Sequence, residues 1–165
     1  MFRVIVIAFF GLLLYSSCKI YSLTGASTGD AKTAEVPYFQ NRALNVQPSL
    51  SRELTEKLKD RILSQTNLKL VNEGGDTKFE GEVSRYEVTP AAITGENLAA
   101  KNRLTIEIKV KFTNSTDSQF DYETSFSRFE DFDSNASLDA VENDLIDKIA
   151  DALVEDVFNK AFVNW

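Results

Sequence analysis

The chain contains no histidine and only one cysteine, Cys18. Without an imidazole there is no Ser-His or Cys-His nucleophile pair, and the usual general base and commonest metal ligand are missing as well. A single thiol allows no internal disulfide and no cysteine-based zinc site. Glycine is sparse, and no Gly-rich phosphate loop occurs; Gly74-Gly75 is an isolated pair in a polar stretch, the signal of a turn. Positive charge is short too, with 18 basic against 25 acidic residues and a net charge of −7. Such a chain does not bind nucleic acid through its bulk field, and any anionic ligand needs a local cationic patch. What remains is carboxylate, lysine, tyrosine or serine chemistry, none of it in a recognisable motif. The expectation is a protein that is not an enzyme and uses no cofactor or metal.

The longest apolar run, Val4 to Leu14, is well short of the roughly 20 residues that a membrane-spanning helix requires. It follows Arg3 and precedes Tyr15-Ser16-Ser17 and Cys18, which is the layout of a signal peptide ending in a lipobox. Small side chains at Ser16 and Ser17 admit a peptidase to the backbone, and the Cys18 thiol accepts a diacylglycerol as a thioether. Tyr15 stands where lipoboxes commonly carry leucine. The alternatives are an ordinary cleaved leader with a chance cysteine, or an anchor helix. The expected organisation is a leader over residues 1–17, a lipidated tether over 18–32 rich in Gly, Ser and Thr, and one domain over 33–165.

Within that domain the hydrophobic period alternates between two and 3.6. Thr33 to Phe39 reads as a first strand, with Pro37 marking an edge or an end. Ser49 is a candidate N-cap, and Leu50, Leu54, Leu58 and Ile62 form one helical stripe. Leu68 and Leu70 begin a short strand. Phe79, Gly81 and Val83 alternate with polar residues, after which Tyr86 and Val88 fall on the other parity, so a bulge is expected near Ser84 or Arg85. Leu104, Ile106, Ile108, Val110 and Phe112 give the clearest strand. After the turn Asn114 to Ser118, Phe120, Tyr122, Thr124 and Phe126 continue into its antiparallel partner. A long helix follows Ser137, its buried stripe running through Leu138, Val141, Leu145, Ile149, Leu153, Val157 and Ala161, and its outer face acidic. The fold class is α+β: a mostly antiparallel or mixed sheet with two amphipathic helices on one face, in the order β-α-β-β-β-β-α.

Tyr21 to Ser27, Val36-Pro37-Tyr38-Phe39-Gln40-Asn41-Arg42-Ala43, Asn102-Arg103-Leu104-Thr105-Ile106, Phe126-Ser127-Arg128-Phe129 and Glu155 to Ala161 resemble the LptE lipopolysaccharide-assembly lipoproteins. The resemblance spans nearly the whole mature chain. It implies an outer-membrane lipoprotein that plugs the LptD barrel, helps it fold and binds lipopolysaccharide. No short motif marks the family's ligand contacts, so the candidates rest on physical grounds. Lipopolysaccharide phosphates call for exposed Lys or Arg at a strand or loop end beside an apolar surface. Lys101 and Arg103 stand where the loop from Pro90 to Ala100 enters the best strand, and Arg85 stands at the expected bulge. The plain alternative is ordinary solvated charge, and Lys109 and Lys111 are read that way.

Most of Tyr38, Phe39, Tyr122, Phe126, Phe129 and Phe132 are expected in the core; Phe129 and Phe132 are taken as out of phase and suited to a partner or a packed corner. Trp165 either packs back on the domain or anchors a partner. Lys19 is not the aspartate that retains lipoproteins in an inner membrane, and Lys19 to Gly29 holds no acid, which points to the outer membrane with the domain facing the periplasm or inside a barrel. Two further readings stay open: a stand-alone periplasmic lipid- or glycan-binding lipoprotein, and a carboxylate-pair glycosidase, for which no pair stands out.

Overall fold

The computed structural model describes residues 26–91 and 100–163. Cys18, Trp165 and most of the loop expected from Pro90 to Ala100 lie outside them. Strands β1 (Thr33–Glu35) and β2 (Gln40–Asn41) precede helix α1 (Leu50–Gln65). Strands β3 (Lys69–Val71), β4 (Thr77–Pro90), β5 (Lys101–Asn114) and β6 (Tyr122–Asp133) lead to helix α2 (Leu138–Phe162). The expected first strand is divided around Pro37, which has no N–H to give to a ladder; the order is otherwise as expected.

The sheet runs β3-β1-β4-β5-β6, and β2 also pairs with β4. β4, β5 and β6 are antiparallel, whereas β1 is parallel to both β3 and β4, and β2 is parallel to β4. The register of β4 against β5 shifts between Val83 and Arg85. Ser84 is the extra residue, and its hydroxyl donates to the Glu107 carbonyl at 3.2 Å and to Glu107 Oε1 at 3.0 Å. The shift returns Tyr86 to the inner face, as the change of parity required.

Alternation along β5 buries Leu104, Ile106, Ile108, Val110 and Phe112 under the helices. The α1 stripe of Leu50, Leu54, Leu58 and Ile62 packs there, beside a wider α2 face that adds Ile146, Ala150, Val154, Phe158 and Phe162. α2 is broader than one stripe because it packs on both the sheet and α1. Phe79, Phe112, Phe158 and Phe162 interlock, with ring centroids 4.8–5.9 Å apart, fastening the end of α2 to the central strands. Phe132 is buried, in phase with Tyr122 and Phe126, correcting its expected place outside the period. Phe129 alone points the other way, half exposed.

Neither expected N-cap makes its side-chain bond. Ser49 instead donates both its amide, at 3.0 Å, and its hydroxyl, at 3.3 Å, to Gln47 Oε1. The buried Thr55 hydroxyl donates to the Ser51 carbonyl at 2.6 Å and accepts the Phe39 amide at 3.1 Å, seating Phe39 on the sheet. An added Cβ on Gly81 would lie 2.3 Å from the Phe39 ring, so this strand position is filled by its neighbour.

Candidate functional site: the uncovered face of the sheet

Both helices lie on one face, so the odd-numbered positions of β5 and β6 meet solvent on the other. Cross-strand register decides what meets there. Arg42 Nε lies 3.1 Å from Glu82, Lys109 pairs with Glu123, and Lys78 lies 3.3 Å from both Glu35 and Glu80. Gln40, Arg42, Glu80, Glu82, Lys109, Lys111 and Glu123 line an open cleft of about 370 Å³ on this face. Lys109 and Lys111 thus belong to a wet, ion-paired strand face. Exposed pairs of this kind contribute about 0–1 kcal/mol each, so the lattice sets surface charge more than stability.

At the edge of the face beside β1, burial works against the Glu35 charge, but Lys78 and the amides of Gly75 and Gly74 hold its carboxyl below the ordinary range. Gly74 turns with φ +71°, and a Cβ on Gly75 would meet the Glu35 amide nitrogen at 2.7 Å. The isolated glycine pair is therefore a turn built around a carboxylate. Next to it, Asp76 Oδ2 accepts the Lys32 amide at 2.9 Å, the Thr33 amide at 3.0 Å and the Thr33 hydroxyl at 2.9 Å. These bonds, the Lys32 amide first, depress its pKa.

The three sequence candidates do not form one cluster. Arg85 Nη2 is 3.9 Å from Glu107 Oε2. Glu107 stands four residues along β5 from Arg103, roughly 13 Å at the rise of a strand. Lys101 and Arg103 share the uncovered face, as alternate residues of β5 must. Arg103 forks onto Asp131, with Nε 2.7 Å from Oδ1 and Nη2 3.0 Å from Oδ2, and its guanidinium stacks over Phe129 at 3.6 Å from the ring centroid. That hydrogen bond outweighs the opposing desolvation and raises the Arg103 pKa. Lys101 is exposed, and its charge acts on the same Asp131 that Arg103 holds. One corner therefore offers an exposed ammonium, a guanidinium held in plane and a half-exposed phenyl ring. Phe129 was singled out from the sequence as a partner or corner residue but not as a neighbour of Arg103, and Asp131 was not singled out at all, because the β5–β6 register that brings them to Arg103 is not legible there.

Among the described residues, no three His, Cys, Asp or Glu side chains converge as a metal site, and no helix is long and apolar enough to cross a membrane. The family profile described as LptE, lipopolysaccharide-assembly, matches residues 31–161. The chain belongs to the LptE family. Its members are non-enzymatic, outer-membrane-associated lipoproteins of lipopolysaccharide assembly. The hypothetical protein CT253 from Chlamydia trachomatis is similar in fold, with a TM-score of 0.56 and 10% identity over 81% of this chain and 99% of that one. Protein XCC0632 from Xanthomonas campestris has a TM-score of 0.51 and 13% identity over 78% and 82%. These likenesses concern the LptE-like fold alone. Among curated protein sequences, none matches.

Proposed function

We propose that this chain is a lipid-anchored LptE that plugs an LptD-like outer-membrane barrel, helps that barrel fold and binds lipopolysaccharide in transit. The observation that carries this reading is the family match, which takes in nearly all of the described domain. Cys18 is the lipidation site, exposed by cleavage after Ser17, and residues 18–32 join it to the domain over 33–165. The end of that tether is fastened down: the Ser27 amide donates to the Phe162 carbonyl at 2.8 Å. A two- or three-chain lipid makes the attachment effectively permanent, where one chain is marginal. The mature domain then faces the periplasm or the barrel lumen.

Lipopolysaccharide presents phosphates beside apolar chains. Lys101 and Arg103 supply charge-assisted donors next to the Phe129 ring, and Arg85 offers a second contact further along the same face. Because Arg103 is already forked onto Asp131, a phosphate gains most from Lys101 and shares Arg103. Photo-crosslinking in cells from a probe at Lys101 tests the reading. A lipopolysaccharide adduct together with a barrel-sized adduct is the expected result. Lipid or glycan adducts from a chain that never meets a barrel would support the stand-alone binding protein instead.

A further inference from the structure

The loop between β2 and α1 carries two aliphatic side chains with almost no cover: Leu44 is 98% exposed and Val46 62%. One exposed leucine is ordinary, but these two stand on a braced support. Asn41 Nδ2 donates to the Gln47 carbonyl at 3.2 Å, and the Ala43 amide donates to Asn41 Oδ1 at 3.1 Å. Asn45 Nδ2 donates to the Tyr86 carbonyl at 3.4 Å, and Gln47 Nε2 donates to Glu142 Oε2 at 2.8 Å. The Tyr86 hydroxyl donates to the other Glu142 oxygen at 2.5 Å. Positions 41, 45 and 47 are thus tied to the domain, while 44 and 46 stand clear of it. The loop has already lost its conformational entropy on folding, so a contact through Leu44 and Val46 incurs little further ordering cost.

We infer that Leu44 and Val46 form a pre-organised apolar knob that seats in an apolar pocket of the protein partner. The inference rests on the reading above that a barrel partner receives this domain. The composition of the loop favours protein over lipid as the occupant. Residues 43–49 contain no charge and no aromatic ring, and Arg42 is held by Glu82 at 3.1 Å. The loop therefore lacks the Lys, Arg and Trp that hold a segment at a membrane interface.

The test uses the full-length chain co-expressed with its barrel partner and recovered from detergent extracts. Leu44→Gln lowers the recovered barrel at least about tenfold, as expected when a buried leucine contact is lost, and Leu44→Gln with Val46→Asn lowers it further. Leu63→Gln, at a half-exposed position of α1, leaves it unchanged. The thermal midpoint of each variant stays at the wild-type value, because neither loop side chain is in the core. Undiminished recovery by the double variant overturns the knob and leaves the barrel reading intact. Failure of the wild-type chain to recover any barrel overturns the barrel reading and the knob with it. Leu44-dependent flotation of a Cys18→Ala chain with anionic phospholipid vesicles assigns the loop to a lipid surface, which also overturns the proposal.

Discussion

Gly81 lacks a side chain because the Phe39 ring occupies the space one would fill, with an added Cβ only 2.3 Å away. Gly81→Ala must therefore displace Phe39 from its seat on Thr55, and overpacking of this kind costs about 1–3 kcal/mol. A urea midpoint equal to that of the wild type would contradict the packing described. Asp76 makes a different residue-scale prediction. Its carboxyl titrates below the ordinary 3.8 in the folded protein, chiefly because it accepts the Lys32 amide and the Thr33 hydroxyl. A depressed carboxylate adds stability that is fully present above its unfolded pKa and is lost as pH falls through the folded value. Asp76→Asn should therefore be less stable than the wild type at neutral pH, with the two unfolding curves converging as the pH falls through the depressed folded-state pKa. A gap between them that persists in acid would contradict this. The sequence marked the Gly74-Gly75 turn but not its carboxylates, since Thr33 and Asp76 meet only through the parallel pairing of distant strands.

At the scale of elements, strand and helix periodicity was legible because each reports which face is buried. The bulge was legible for the same reason, as the inner residues change parity between Val83 and Tyr86. Periodicity does not report pairing, so the division of the first strand and its parallel course beside β4 were not visible. Nor did it separate a solvated acid from an engaged one. Lys57 reaches across from α1 to lie 2.8 Å from Asp147 and 2.7 Å from Asp151 on the acidic side of α2. Desolvation of Lys57 is outweighed by its hydrogen bonds to Asp147 and Asp151, so its pKa rises. Because a raised amine pKa gives stability that is lost only as pH climbs through the folded value, this clasp persists through neutral and mildly alkaline conditions. Lys57→Met should leave the two aspartates, one turn apart, repelling each other. The expected cost is about 1 kcal/mol at low salt, since both acids are exposed, and molar salt should shrink it. An unchanged urea midpoint at low salt would show that the clasp contributes nothing.

At the scale of the whole molecule, helices cover one face of the sheet and leave an ion-paired face, a corner of Lys101, Arg103 and Phe129, and an apolar loop at one end. The sequence placed Lys101 and Arg103 on one strand end and identified the family to which the chain belongs. It marked Phe129 as a partner or corner residue, but it supplied neither Asp131 nor the approach of either to Arg103, which depends on how the turn between β5 and β6 sets the register. With lipid attachment assigned to Cys18, Cys18→Ala should move the protein from the membrane to the soluble fraction while its circular dichroism and thermal midpoint stay as in the wild type. A variant that remains quantitatively in the membrane when no barrel is present would contradict that assignment.

The central claim, an anchored plug that binds both barrel and lipopolysaccharide, is tested most directly by purifying the full-length chain from detergent-solubilised outer membranes and analysing what accompanies it. The account predicts a stable complex with an LptD-like barrel and bound lipopolysaccharide, with Lys101→Glu combined with Arg103→Gln reducing the lipopolysaccharide but not the barrel. Recovery of the intact chain alone, from membranes in which the barrel is present and folded, would contradict it.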